Sequence, residues 1–430
     1  MTGVLVRGGR IVDETGERAG DVRVRDGWVA EVGVALAADG ERELDAGGCL
    51  VSPGLVDLHA HLREPGHEEA ETIETASRAA ALGGFTALVA MPNTEPPLDD
   101  AAVVRSVLDR GAQALCDVTV AGCLTKGRRG SELGPLGELH GLGVRIFTDD
   151  GACVGDGRVM RRALEYASAL PGAVVAQHAE DPALAEGGHM HEGEWSSRLG
   201  IPGRPGEAES VIVARDLDLV RRTRTRYHVL HLSTAAAVDL VRRAKAEGLP
   251  VTAEATPHHF TLTDAECASF DPAFKVHPPL RSQSDVDAVA AGITDGTIAA
   301  IATDHAPHAP ETKEQPFEDA PPGMLGLETA AAVAITSLVE TQAATFEQVA
   351  GALSWRPAAI AGLSDHGGPI KAGRPANLCV IDPAAAWQVD IDRLASRSRN
   401  TPWLGRKLAG RVRHTIRRGE AVVVDAEAQR

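Results

Sequence analysis

Between residues 54 and 308 the sequence repeats one pattern eight times: a short apolar run, a loop and, in most cases, a helical segment before the next run. The runs are GLVDLHAH (54–61), FTALVAMPN (85–93), DVTVAGCLT (117–125), GVRIFTDD (143–150), AVVAQH (173–178), YHVLHLS (227–233), PVTAEATPHH (250–259) and IAAIATDHAPH (298–308). Runs this short, bounded by turn residues, suit buried strands. Between them, TIETASRAAALGG (72–84), AVDLVRRAKAEG (237–248) and DVDAVAAGITDG (285–296) space apolar residues three and four apart and stop at glycine, as helices do. Eight strands alternating with helices imply a parallel barrel.

A barrel needs roughly 250 residues, and the chain has 430. The surplus lies at the two ends, where the style changes to short β-like runs and turns. VLVRGGRIVD (4–13), DVRVRDGWVAEVG (21–33) and AGGCLVSPG (46–54) open the chain, with a hairpin signal at Arg25-Asp26-Gly27. PANLCVIDP (375–383) and RVRHTIRRGEAVVVD (411–425) resume that style at the other end. The expected architecture is therefore α/β: a (β/α)8 TIM-type barrel over residues 54–365, with a small β-sandwich domain built from residues 1–53 and 366–430.

Forty-three basic against 60 acidic residues give a net charge of −17. That balance argues against nucleic acid or an anionic membrane as partner, since both demand basic patches. No apolar run reaches the roughly 20 residues of a membrane helix. The opening MTGVLVRGGRIVDETG lacks the pattern of a signal peptide. The six cysteines are scattered with no C-x-x-C pair, which reads as reduced core residues. A cytoplasmic enzyme is expected.

The chemistry sits at the ends of the barrel runs. His59 and His61 are two apart in a strand, so both can face one ion. His178 ends the fifth strand, His231 the sixth, Asp304 the eighth, and Asp149-Asp150 the fourth. In a barrel all these ends open onto one face, where such folds keep their active sites. Imidazole and carboxylate suit zinc, and six such groups exceed the needs of one tetrahedral ion. They match two Zn2+ ions per chain sharing a carboxylate. Asp149 and Asp150 compete for that place, because neighbours on a strand face opposite sides.

PGLVDLHAHLREPG (53–66), MPNT (91–94), FTDDG (147–151), the HEGEW-to-GIPG region (191–203) and ATDHAPH (302–308) closely resemble the bacterial class I dihydroorotases of the amidohydrolase superfamily. The resemblance implies reversible cyclisation of N-carbamoyl-L-aspartate to L-dihydroorotate plus water, in pyrimidine synthesis. It implies His59, His61 and Asp304 on one zinc, His178 and His231 on the other, and Asp150 between them. Asp304 would also shuttle the proton. Arg63, Asn93 and His308 match positions that hold the substrate carboxylate, and Pro322-Gly323 falls where backbone groups contact the ring. Before PPLR the family usually has asparagine; His277 stands here and is kept as a substrate contact. The resemblance also allows a homodimer and association with aspartate transcarbamoylase.

Two rival classes follow. Hydantoinases, dihydropyrimidinases and allantoinases usually bridge their metals with a carboxylated lysine; here the stretch reads VRIFTDDG, and nearby Lys126 lies in a loop among arginines. An inactive scaffold partner of aspartate transcarbamoylase would lose metal ligands, whereas all six are kept. The other histidines receive plainer readings: His67, His140, His366 and His414 exposed, and His189 and His191 in a glycine-rich loop near the mouth. His258 and His259 support the seventh strand, and His305 orients the neighbours of Asp304.

Overall fold

The computed structural model describes residues 3–430. Eight parallel strands form the centre, one in each run: β1 (Leu55–Ala60), β2 (Phe85–Ala90), β3 (Asp117–Val120), β4 (Ile146–Phe147), β5 (Val174–Gln177), β6 (Tyr227–Val229), β7 (Val251–Ala255) and β8 (Ala300–Ile301). Continuous ladders join β1-β2-β3 and β4-β5-β6-β7-β8. Single parallel bridges close the two gaps, Gly122 to Phe147 and Ala60 to His305. The second bridge joins the first run to the last, so the sheet has no free edge. Phe85, Leu88, Val175, Val229 and Ile301 share one apolar cluster with the surrounding helices.

The helices start where a capping side chain meets orphan N–H groups. Thr72 caps Ile73–Leu82, Thr234 caps Ala235–Ala246 and Ser282 caps Gln283–Thr294. The last two begin two residues before the apolar periodicity does, because the cap rather than the buried face sets a helix start.

The chain ends form one mixed sheet of nine strands. Leu50–Pro53 is the joint: it runs parallel to Arg10-Ile11 and antiparallel to Leu378–Ile381. Register shifts at Val6/Gly9 and Asp382/Ala386 mark irregularities where long strands can bend over their own core. Val6, Ile11, Val22, Val51, Leu378, Val380 and Ile416 fill that core.

Two histidines expected at the surface are buried, His366 at 6% and His414 at 1% exposure. His366 bridges Thr86 Oγ1 (3.0 Å) and Asp117 Oδ2 (2.9 Å), and Arg417 and Arg418 of the end sheet bind the same carboxylate. His414 receives the Asp425 N–H and donates to the Asp45 carbonyl. Both lie where the ends pack back on the chain, contacts with no local sequence signal. Among the described residues no helix is long and apolar enough to cross a membrane.

Candidate metal centre

The C-terminal ends of the strands converge on a cavity of about 220 Å3. His61, Arg63, Asn93, Asp150, His178, His231, His277, Asp304, His308, Pro322 and Gly323 all line it, and His59 lies directly behind. Asp150 sits at the centre. Its Oδ2 faces His59 Nε2 at 3.2 Å and His61 Nε2 at 3.5 Å, while its Oδ1 faces His231 Nε2 at 3.4 Å and His178 Nδ1 at 3.7 Å. One carboxylate thus stands between two pairs of imidazoles. Asp304 completes the first pair, with Oδ1 3.0 Å from His61 and 3.4 Å from His59. Asp149 faces away and accepts from Thr125 N and Oγ1. Both residues lie past the end of β4, where the turn rather than strand alternation separates the neighbours.

These donors fit divalent cations. Two sets, His59-His61-Asp150 and Asp150-His178-His231, each bring their ligand atoms within 4.8 Å of one another. His59 Nε2 and Asp150 Oδ1 are buried without a hydrogen-bond partner, which buried polar atoms rarely tolerate. The other nitrogens of the first pair are already committed: His59 Nδ1 lies 2.8 Å from Glu254 Oε1 and His61 Nδ1 2.8 Å from Asn93 Oδ1. Both acceptors are oxygens, so with an ion bound each Nδ1 would keep the proton and each Nε2 would offer its lone pair to the centre. Burial works against charge here, yet the surrounding imidazoles hold Asp150 and Asp304 well below the usual carboxylate range.

Backbone geometry helps aim these groups. Arg63, His231 and Asp304 adopt positive φ (62°, 28° and 45°), a region costing non-glycine residues on the order of 1–3 kcal/mol each. Such strain persists where surrounding contacts over-determine it. At β8 the contact is Asp57, whose carboxylate accepts Thr303 N (2.9 Å) and Thr303 Oγ1 (2.6 Å) one residue before Asp304.

On one wall, Arg63 Nε donates to the Pro307 carbonyl at 3.0 Å, its NH2 lies 3.4 Å from His308 Nε2, and it forms no ion pair among the described residues. Burial lowers its pKa to about 10, so it stays cationic at neutral pH. Burial, then Arg63, push His308 down to about 3, and its neutral ring donates Nε2–H to the Pro322 carbonyl at 2.8 Å. The Gly323 N–H is taken by the Lys275 carbonyl at 2.9 Å. His277, held near 3 by burial and Arg204, also lines the cavity and has an unpartnered Nε2.

Sequence reasoning missed Glu254, Glu180 and Glu71. Glu254 is fully buried in β7 between His59 and His228, and their hydrogen bonds hold it at about 2 against burial. Its signal was an acid inside the apolar TAEA run. Glu180, two residues past His178, pairs with Arg204. Glu71 binds His305 Nε2 at 3.2 Å, while His305 Nδ1 accepts the Gly326 N–H. His259 donates to the Pro278 carbonyl beside His277, a supporting contact. His189 and His191 meet Lys275 and Arg281 and do not line the cavity.

Residues 48–237 match the family model described as dihydro-orotase-like. A dihydroorotase of Streptomyces coelicolor is 48% identical over 431 residues, covering 99% of this chain and 100% of its own. One of Mycobacterium tuberculosis is 47% identical over 428 residues, covering 99% of each. Among solved structures, an L-hydantoinase of Arthrobacter aurescens superposes with a TM-score of 0.90 at 26% identity, over 100% of this chain and 98% of that one. Full-length identity to the dihydroorotases far exceeds that to the hydantoinase, and the chain belongs to the dihydroorotase family.

Proposed function

We propose that this chain catalyses the reversible cyclisation of N-carbamoyl-L-aspartate to L-dihydroorotate, in the cytoplasm, as a step of pyrimidine synthesis. The observation that carries the reading is the unpaired Arg63 guanidinium in the wall of a cavity whose centre is one carboxylate shared by two imidazole pairs. His59, His61 and Asp304 would hold one Zn2+, His178 and His231 a second, with Asp150 common to both. Bound there, the ions would lower the pKa of water and polarise the ring amide carbonyl.

The residues supply the rest. In the hydrolytic direction water oxygen adds to the amide carbon and the carbon–nitrogen bond breaks. Asp304 accepts the water proton at its carboxylate and returns it to the departing ring nitrogen. His61 Nε2 lies 3.0 Å from Asp304 Oδ1, and one ion would hold both. Arg63 offers a planar fork to the substrate carboxylate, with Asn93 and His308 at its sides. Pro322-Gly323 shape one face for the ring and His277 the other.

A lysine-bridged hydantoinase is the second reading, prompted by the fold. Lys126 argues against it: the side chain is exposed and paired with Glu132, far from a ligand role. Assaying one purified sample against L-dihydroorotate, hydantoin, dihydrouracil and allantoin tests the choice; turnover of dihydroorotate alone is expected, and comparable turnover of dihydrouracil would reject it. A homodimer and a complex with aspartate transcarbamoylase belong to the same reading, and sedimentation with and without that enzyme checks both.

A further inference from the structure

After the barrel and most of the end sheet, the chain returns to the mouth of the active site as a segment of residues 394–403. It is tied down along its length. Glu328 Oε1 accepts from Ala395 N and Ser396 N, Glu71 from Ser396 Oγ and Arg397 N, and the Ala70 carbonyl from Ser398 Oγ at 2.6 Å. Next comes Asn400, 6% exposed and behind the cavity wall rather than in it.

Its amide is fully used. Oδ1 accepts the His308 N–H at 3.2 Å, and Nδ2 donates to the Ala306 carbonyl at 2.9 Å and the Gly323 carbonyl at 3.0 Å. The main-chain carbonyl of Asn400 accepts the Leu325 N–H at 3.0 Å. Those partners belong to two turns, one bearing His308 and the other Pro322-Gly323. The turns touch: a Cβ on Gly323, where φ is +151°, would lie 2.7 Å from the Ala306 carbonyl and 2.8 Å from the His308 ring. Their separation therefore fixes where the imidazole stands relative to Arg63.

We infer that Asn400 is a positioning residue for substrate binding, holding the His308 turn and the Pro322-Gly323 turn at the spacing the substrate carboxylate requires. The inference rests on the dihydroorotase reading. The amide is the chemistry this place demands, with two donors on one nitrogen and an acceptor beside them. Aspartate has the same shape and can take the His308 N–H, but at neutral pH it sets a negative charge against two carbonyl oxygens. Because Asn400 acts on the binding wall and touches no metal-site residue, its loss falls on binding.

The test uses the full chain loaded with zinc. Asn400→Ala and Asn400→Asp are each expected to raise KM for L-dihydroorotate about tenfold or more, with kcat within threefold of wild type and metal content unchanged. Ser398→Ala removes another buried hydrogen bond of the same segment away from the cavity, and should lower Tm while leaving KM within twofold. KM within twofold in the Asn400 variants, an equal KM rise in Ser398→Ala, or loss of metal together with kcat would each overturn the inference. If Asn400→Ala does not fold, the isosteric Asn400→Asp decides; failure of both to fold would refute a positioning role separable from folding. Wild type inactive on L-dihydroorotate would reject the dihydroorotase reading itself, whereas an active wild type with unshifted variants rejects the role of Asn400 alone.

Discussion

At His59 one hydrogen bond decides which ring nitrogen is available. Glu254 takes the Nδ1 proton at 2.8 Å and, through its other oxygen, faces His228 Nε2 at 3.0 Å. Glutamine in its place has one acceptor and must turn its NH2 toward one of the two rings. Glu254→Gln should therefore weaken metal affinity about 10–100-fold, read by titration with a competing chelator. Unchanged affinity would leave Glu254 a packing residue. Asp304→Asn tests the proton path. General acid–base help is worth roughly 10²–10⁴-fold, so kcat should fall at least that far in both directions, measured beside metal content. More than about a tenth of the activity remaining would remove Asp304 from that role.

Strands bring these residues together, and the segment of residues 394–403 holds the result. Glu328 is one of two titratable groups in that contact, beside Glu71. Burial, reinforced by Glu71, raises its carboxyl from the usual 4.5 to about 7, although the Ser396 and Ala395 N–H groups oppose the rise. The folded state then binds more protons than the unfolded state between about pH 4.5 and 7. The contribution of Glu328 to stability must fall as pH rises through that window and level off above it. Glu328→Gln keeps an acceptor for the two N–H groups and cannot ionise. Its Tm relative to wild type should climb from pH 4.5 to 7 and then stay constant, measured by thermal melts across pH; a difference flat with pH would place the Glu328 pKa near its ordinary value. The strand order was legible because eight apolar runs carry their own signal. Helix starts were legible only through caps such as Thr234 and Ser282. The segment's hold on the barrel was not legible, since Asn400 and His308 are joined by a hydrogen bond across 92 positions of sequence.

For the whole molecule the proposed two-ion site sets the expected behaviour. Elemental analysis should find about two zinc ions per chain, and a value near one with full activity would reject a shared carboxylate. Asp150 is an anion without help, whereas a lysine bridge forms only by taking up carbon dioxide. Reconstitution of metal-stripped protein should therefore proceed equally well in bicarbonate-free buffer, followed by recovery of activity. A requirement for bicarbonate would contradict Asp150 as the bridge. By itself the sequence determined the barrel, the joining of the two ends in one β region, the six metal-type side chains and the family. Apolar period, turn residues and short motifs are local, and local order survives in a linear string. Only the tertiary structure decided that Glu254 fixes the His59 tautomer, and that His366 and His414 are buried. Each of those depends on which residue from a distant strand arrives at hydrogen-bond distance, and chain closure alone sets that.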